Sequence, residues 1–117
     1  MLRLYGLDQN PYVERTIEFA FSRVIKEGYY GAFIKARNHL RDQEGYLIPT
    51  TGEAHRYVSD QFDLSPDPVR QLLAEDLVKL RLYRRQADYV DTFPGLFGIT
   101  QIALRLSEKV ISTLNNL

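Results

Sequence analysis

The segment Leu80–Tyr89, LRLYRRQADY, with Lys79 just before it, holds the densest set of residues able to do chemistry. Lys79, Arg81, Arg84 and Arg85 place four cations in seven residues, and Asp88 and Tyr89 follow. On a helix Arg81, Arg84 and Arg85 share one side of the cylinder, which is a patch suited to phosphate. Arg84 is the odd residue among them. The apolar stripe Val69, Leu73, Leu77, Leu80, Ala87 advances by threes and fours, and Arg84 fills the position missing from it. A guanidinium on a core-facing line costs free energy unless it is paired. Two roles meet that need. Asp88, one turn on, can pair with it and fix the helix register. Alternatively, the planar guanidinium makes two bonds to a phosphate held in a cleft.

His39 and His55 are the chain's two histidines, and they fall on different predicted helices. His55 brought beside Arg84 or Arg85 would give an acid–base pair; the alternative for either histidine is a structural hydrogen bond. Tyr29, Tyr30, Phe33 and Tyr89 can stack on a base, or pack in the core with their hydroxyls at its edge. The candidate catalytic residues are therefore Arg84, Arg85, Asp88 and His55, and the candidate binding residues are Arg81, Tyr89 and Tyr30. Gly28-Tyr29-Tyr30-Gly31 spells a loop that some RNA-binding domains use to clamp backbone, but it lies inside helical patterning without strands and is set aside. Two distant histidines and no cysteine make a poor metal-ligand set, so no metal or cofactor is expected. Nor is there a phosphate-cradling glycine loop or a nucleophile elbow.

The remaining composition narrows the class. A length of 117 residues fits a single domain spanning 1–117. Fifteen basic and fifteen acidic residues cancel, so any contact with nucleic acid must come from a local patch. The absence of cysteine fits a reducing compartment. No signal-peptide pattern opens the chain and no run approaches membrane-spanning length, so the expectation is a cytoplasmic protein with no membrane contact.

The elements that must position these residues are all helical. Residues 1–9 form an irregular lead, and Asn10-Pro11 is a helix start signal. The first helix carries the stripe Val13, Ile17, Ala20 and Val24, widened by Phe21 and Ile25, and Gly28 predicts a break or bend, with a helix that runs through it kinked as the alternative. A second helix then runs through Tyr30, Phe33, Ile34, Arg37 and Leu40 to about residue 43, stopped by Gly45. Thr50 or Thr51 caps a short helix over 53–62. Ser65 caps, and Pro66 opens, the long helix Pro66–Val90. Thr92-Phe93-Pro94-Gly95 is turn chemistry, and the last helix runs 97–114 on Ile99, Ala103, Leu106, Val110 and Leu114. The fold class is an all-α, up-and-down bundle of four to five helices.

Three of these stretches, taken in order, resemble the HEPN domain family in its compact prokaryotic branch. Arg23-Val-Ile-Lys-Glu-Gly-Tyr29-Tyr30-Gly31-Ala32-Phe33 is similar to an R-x-Y-Y-A-x-F segment, with the arginine farther upstream and Gly31 in the alanine's place. His55-Arg-Tyr-Val58 ending at Phe62 resembles the family's third-helix pattern. Leu80 to Tyr89 resembles L-x-x-x-R-x-x-A-D-Y and is the most specific of the three. The resemblance implies a bundle that forms homodimers, and often a ribonuclease of toxin–antitoxin type encoded beside a nucleotidyltransferase-like partner. The family's ribonucleases carry an arginine with a histidine a few residues on. Here the corresponding positions hold Tyr89, Val90 and Asp91 after Arg84, and Val90, Asp91 and Thr92 after Arg85. The functional expectation is a module that interacts with RNA or nucleotide at a degenerate, metal-independent ribonuclease site. The alternative is a non-catalytic bundle that partners a nucleotidyltransferase-like protein. Val78 and Leu82, a second apolar line on the long helix, are the physical hint of a dimer, though another helix of the bundle could equally cover them.

Overall fold

The computed structural model describes residues 11–87 and 93–117. Asn10, the lead 1–9, Asp88, Tyr89 and Thr92 lie outside the described residues. Among those described, the chain is an all-helical bundle without strands. Helix α1 spans Pro11–Asn38 and widens into a π-helical turn at His39–Gln43. Helix α2 spans Ala54–Asp63, α3 Pro68–Ala87 and α4 Phe93–Asn115. Helix α1 packs most extensively on α4, α2 lies on α3, and α3 also packs on both α1 and α4.

Of the outcomes open at Gly28, the helix runs through it: α1 is continuous for 28 residues. Gly28 is where α4 comes close. The Ser107 hydroxyl donates to the Gly28 carbonyl at 3.0 Å, and a Cβ at Gly28 would stand 3.7 Å from the Ser107 side chain. Continuity through this point fixes one register for the whole helix. Phe21, Ile25, Tyr29, Ala32, Phe33, Ala36 and Leu40 therefore face the core, whereas Ala20, expected on the inner stripe, is exposed. The inner line of α4 is also shifted from its predicted one. Leu96, Thr100, Ala103, Ser107, Val110 and Leu114 are buried, and Ile99 and Leu106 flank them. The buried Thr100 hydroxyl donates to the Leu96 carbonyl at 2.8 Å, so it costs little.

Helix ends follow local chemistry. The long helix starts at Pro68, two residues later than Ser65-Pro66 suggested, because Asp67 is its cap: the Asp67 carboxylate accepts the Val69 N–H at 3.0 Å. Ser65 stabilises the approach, accepting the Asp67 N–H at 3.2 Å through its hydroxyl. Phe93-Pro94-Gly95, read as a turn, already belongs to α4, where a proline in the first helical turn removes no hydrogen bond. At α2, Thr51 organises the entry, its hydroxyl accepting the Glu53 N–H at 3.4 Å and its carbonyl the Ala54 N–H at 3.1 Å. Gly45 takes φ +75°, and the Tyr46 N–H reaches back to the Leu40 carbonyl at 3.0 Å. This is a Schellman-type closure made one residue wider by the π turn.

The π register also places residues five apart in line. His39 Nε2 meets Glu44 Oε2 at 2.8 Å, and the Arg70 guanidinium donates to both Glu44 oxygens at 2.7 and 2.9 Å. Arg70 in turn lies 4.8 Å above the centre of the Phe62 ring. His39 thus belongs to a clamp that ties the end of α1 to α2 and α3.

The core holds one buried charge that the periodicity did not single out. Asp76 on α3 is 2% exposed and meets Lys109 of α4 at 3.1 Å, while the Lys109 side chain remains 48% exposed. The pair is unequal, and so are the expected effects of breaking it. Lys109→Ala strands a carboxylate in the core and should cost roughly 3 kcal/mol. Asp76→Ala releases a lysine that can swing into water and should cost distinctly less. Chemical denaturation of the two variants measures the difference.

Candidate functional site

Three helices meet around Tyr29. Its spacing from Ile25 and Phe33 puts it on the buried face of α1, and it is 2% exposed. His55, in the first turn of α2, lies against this face. Its ring stacks on Phe33 with centroids 4.1 Å apart and on Tyr29 at 5.4 Å, and it meets Tyr30 edge-on at 6.3 Å. The Tyr29 hydroxyl is hydrogen-bonded to His55 Nδ1. From α3, the Arg84 guanidinium covers the Tyr30 ring at 4.8 Å and the Tyr29 ring at 5.7 Å. Arg81, one turn earlier, acts electrostatically on both Tyr29 and His55.

The half-buried position of Arg84 is therefore explained by aromatic rings as well as by any carboxylate. A guanidinium over a tyrosine face is stabilised by the ring quadrupole, by roughly 0.5–2 kcal/mol according to its desolvation. The Asp88 partner expected from sequence lies outside the described residues. Among those described, neither Arg81 nor Arg84 forms an ion pair. The cluster thus concentrates positive potential beside a histidine.

The titratable groups respond to that setting. Burial pushes the Tyr29 hydroxyl up from 10.0 to about 12, with the nearby Arg81 and Arg84 opposing the rise. The His55 imidazole is lowered from its ordinary 6.5, first by burial and then by the Arg81 and Arg84 charges. At neutral pH the pair is a phenol and a neutral imidazole. With the phenol donating to Nδ1, the neutral ring carries its hydrogen on Nε2 and offers a donor. With Nδ1 donating instead, Nε2 is a base.

Of the residues singled out by sequence, the fold brings together His55, Arg84, Arg81 and Tyr30. Arg85 is exposed, and among the described residues no ion pair or ring contact joins it to this cluster. Asp88 and Tyr89 lie outside the described residues, and His39 sits in the separate clamp with Glu44 and Arg70. Tyr29 and Phe33, for which base stacking and core packing were both open, pack in the core and form the surface on which His55 is stacked. A sequence signal for this was present: Tyr29 and Phe33, four apart, share one helix face, and an aromatic hydroxyl on such a face needs a polar partner. Neither residue type nor spacing could identify that partner as His55.

These shifts set the pH dependence of stability. Because folded His55 holds its proton less tightly than the unfolded chain does, acid favours unfolding. Its contribution is complete above 6.5 and is lost as pH falls through the window beneath that value. Folded Tyr29 keeps its proton longer, so its contribution is complete below 10.0 and is lost as pH rises from there toward about 12. Melting temperature followed across pH should decline on both limbs. His55→Gln should flatten the acid limb relative to the parent, and Tyr29→Phe the alkaline limb.

The chain matches no family model, no curated protein and no solved structure. Its function is therefore read from the geometry of this cluster.

Proposed function

We propose that the chain is a HEPN-like helical module that binds RNA, or a nucleotide, through phosphate at the Arg81–Arg84–His55–Tyr30 cluster, without a metal. The observation that carries this reading is the pair of half-buried guanidiniums, free of ion pairs among the described residues, set beside a neutral histidine. Two guanidiniums can grip phosphate oxygens, and the His55 Nε2 hydrogen adds a third donor where the phenol holds Nδ1. Tyr30, 40% exposed, presents ring surface next to those donors, and a base stacked on it would lie within the same cluster. The same residues support metal-independent cleavage when Nε2 is the base, with the guanidiniums stabilising charge on the phosphorus oxygens. The donor arrangement, which the buried and firmly protonated phenol favours, supports binding.

A second reading rests on a different surface. Val78 and Leu82 on α3 are 57% and 50% exposed, so no other helix of the bundle covers them. Apolar area of this kind suits a protein partner. The module is proposed to act as a homodimer, and a nucleotidyltransferase-like protein is the alternative partner.

Binding of a labelled single-stranded RNA by fluorescence anisotropy tests the first reading. Arg84→Ala and Arg81→Ala should each weaken binding and lower the salt slope by about one phosphate contact. Tyr30→Ala should weaken it through lost stacking, and Arg85→Ala should have the smallest effect. The melting temperature of Arg84→Ala should fall by no more than about the few degrees that its contact with the tyrosine rings contributes. Cleavage of the RNA in the presence of a chelator, lost in His55→Ala, would assign the base arrangement. Parent-like RNA binding by the Arg84→Ala and Arg81→Ala variants would move the function to the α3 surface.

A further inference from the structure

Opposite its core face, α3 carries an exposed line: Gln71, Glu75, Val78, Leu82 and Arg85, all exposed. The steps of four, three, four and three are the spacing of a coiled-coil seam, with Val78 and Leu82 at its apolar centre. The core positions Leu73, Leu77, Leu80 and Ala87 lie on the far side of the same helix. The order of residues along this line is palindromic in chemistry. About a point level with Leu80, Val78 reflects onto Leu82, and Glu75 reflects onto Arg85. Two copies of α3 laid antiparallel therefore match Val78 with Leu82 twice at the centre, and Glu75 with Arg85 twice outside it.

A second feature lies beside the seam. A groove of about 300 Å³ runs between α2 and α3, bordered by Asp60, Asp63, Glu75, Val78 and Lys79. Asp60 is held only loosely, by the exposed Arg56 at 3.6 Å, and neither Asp63 nor Glu75 forms an ion pair among the described residues. In the antiparallel arrangement the second copy's Arg85 comes level with Glu75, on the side of the groove. That guanidinium would then face the acidic border of the groove, at both ends of the pair. Lys79 also flanks the seam, and Glu75 stands one turn away on its own helix to screen it.

We infer that this face binds a second copy of the chain, α3 against antiparallel α3, with each copy's Arg85 seated in the acidic groove of the other. The inference rests on the homodimer reading above and specifies its surface and register. A two-fold interface must be self-complementary, and this line meets that requirement in both charge and apolar position. A foreign partner would have no need of the palindrome.

Sedimentation of the full-length chain with charge-reversed variants tests this. The parent should dimerise, and Glu75→Arg or Arg85→Glu alone should weaken dimerisation by roughly tenfold or more, because each places like charges together twice per dimer. An equimolar mixture of the two single variants should recover association as a heterodimer, and the double variant Glu75→Arg/Arg85→Glu should recover it alone. Circular dichroism of each variant, all altered at exposed positions, verifies that its helices are intact. A parent that stays monomeric at high micromolar concentration overturns the inference together with the homodimer reading. A dimer indifferent to the reversals, or variants that the mixture fails to rescue, overturns the register and leaves a homodimer through another face.

Discussion

The hydrogen bond between the Tyr29 hydroxyl and His55 Nδ1 is the contact on which the placement of the cluster depends. Tyr29 cannot be buried on α1 without a partner for its hydroxyl, and His55 supplies one from the start of α2. The bond holds the imidazole between aromatic faces and couples the position of its hydrogen to the phenol. Arg84 then finds the exposed sides of the tyrosine rings from α3. One residue before Tyr29, Gly28 admits the Ser107 hydroxyl of α4. Four helices are thus fastened within two consecutive residues of α1, and the burial of the site is a consequence of how the bundle closes.

The two histidines have separate tasks. His39, reached through a π turn, is tied to Glu44 and through it to Arg70, so its surroundings are carboxylate and cation in balance. His55 faces Arg81 and Arg84, and its imidazole is driven toward neutrality. The chain's overall neutrality conceals this division. Positive charge collects where α1, α2 and α3 meet, while Asp60, Asp63 and Glu75 gather in the groove farther along α2 and α3. A molecule organised in this way can hold an anion at one place and a cationic side chain at another without large net charge.

Helical periodicity made the fold class legible, and the gap in the α3 stripe correctly marked Arg84 as unusual. What it could not show was which chemistry compensates. Asp88, near Arg84 in sequence, is a partner that sequence can name and lies outside the described residues, whereas Tyr29 and Tyr30 are remote along the chain and meet Arg84 only through packing of α3 on α1. At Gly28 a break and a continuous helix were both open, because a glycine inside a helix signals a break and a close helix contact equally well. The distinction rests on Ser107, 79 residues away. Asp67 in place of Ser65 as cap, and Pro94 inside a helix in place of a turn, show a local ambiguity of another kind. Capping and turn residues are the same residue types, so sequence locates the helix end to within a turn without naming the cap. Asp76 escaped notice since its partner Lys109 comes from another helix.

The central proposal is that phosphate is received where a neutral His55 imidazole stands beside guanidiniums that form no ion pair among the described residues. Nuclear magnetic resonance titration of the labelled His55 ring, with and without a short RNA, measures this directly. In the free protein the ring should titrate below 6.5. Saturation with RNA should move that titration upward, because a phosphate held by Arg81 and Arg84 cancels the charges that depress it and favours the protonated ring. A His55 titration that begins at or above the ordinary value, or that does not move when RNA is bound, would contradict the account.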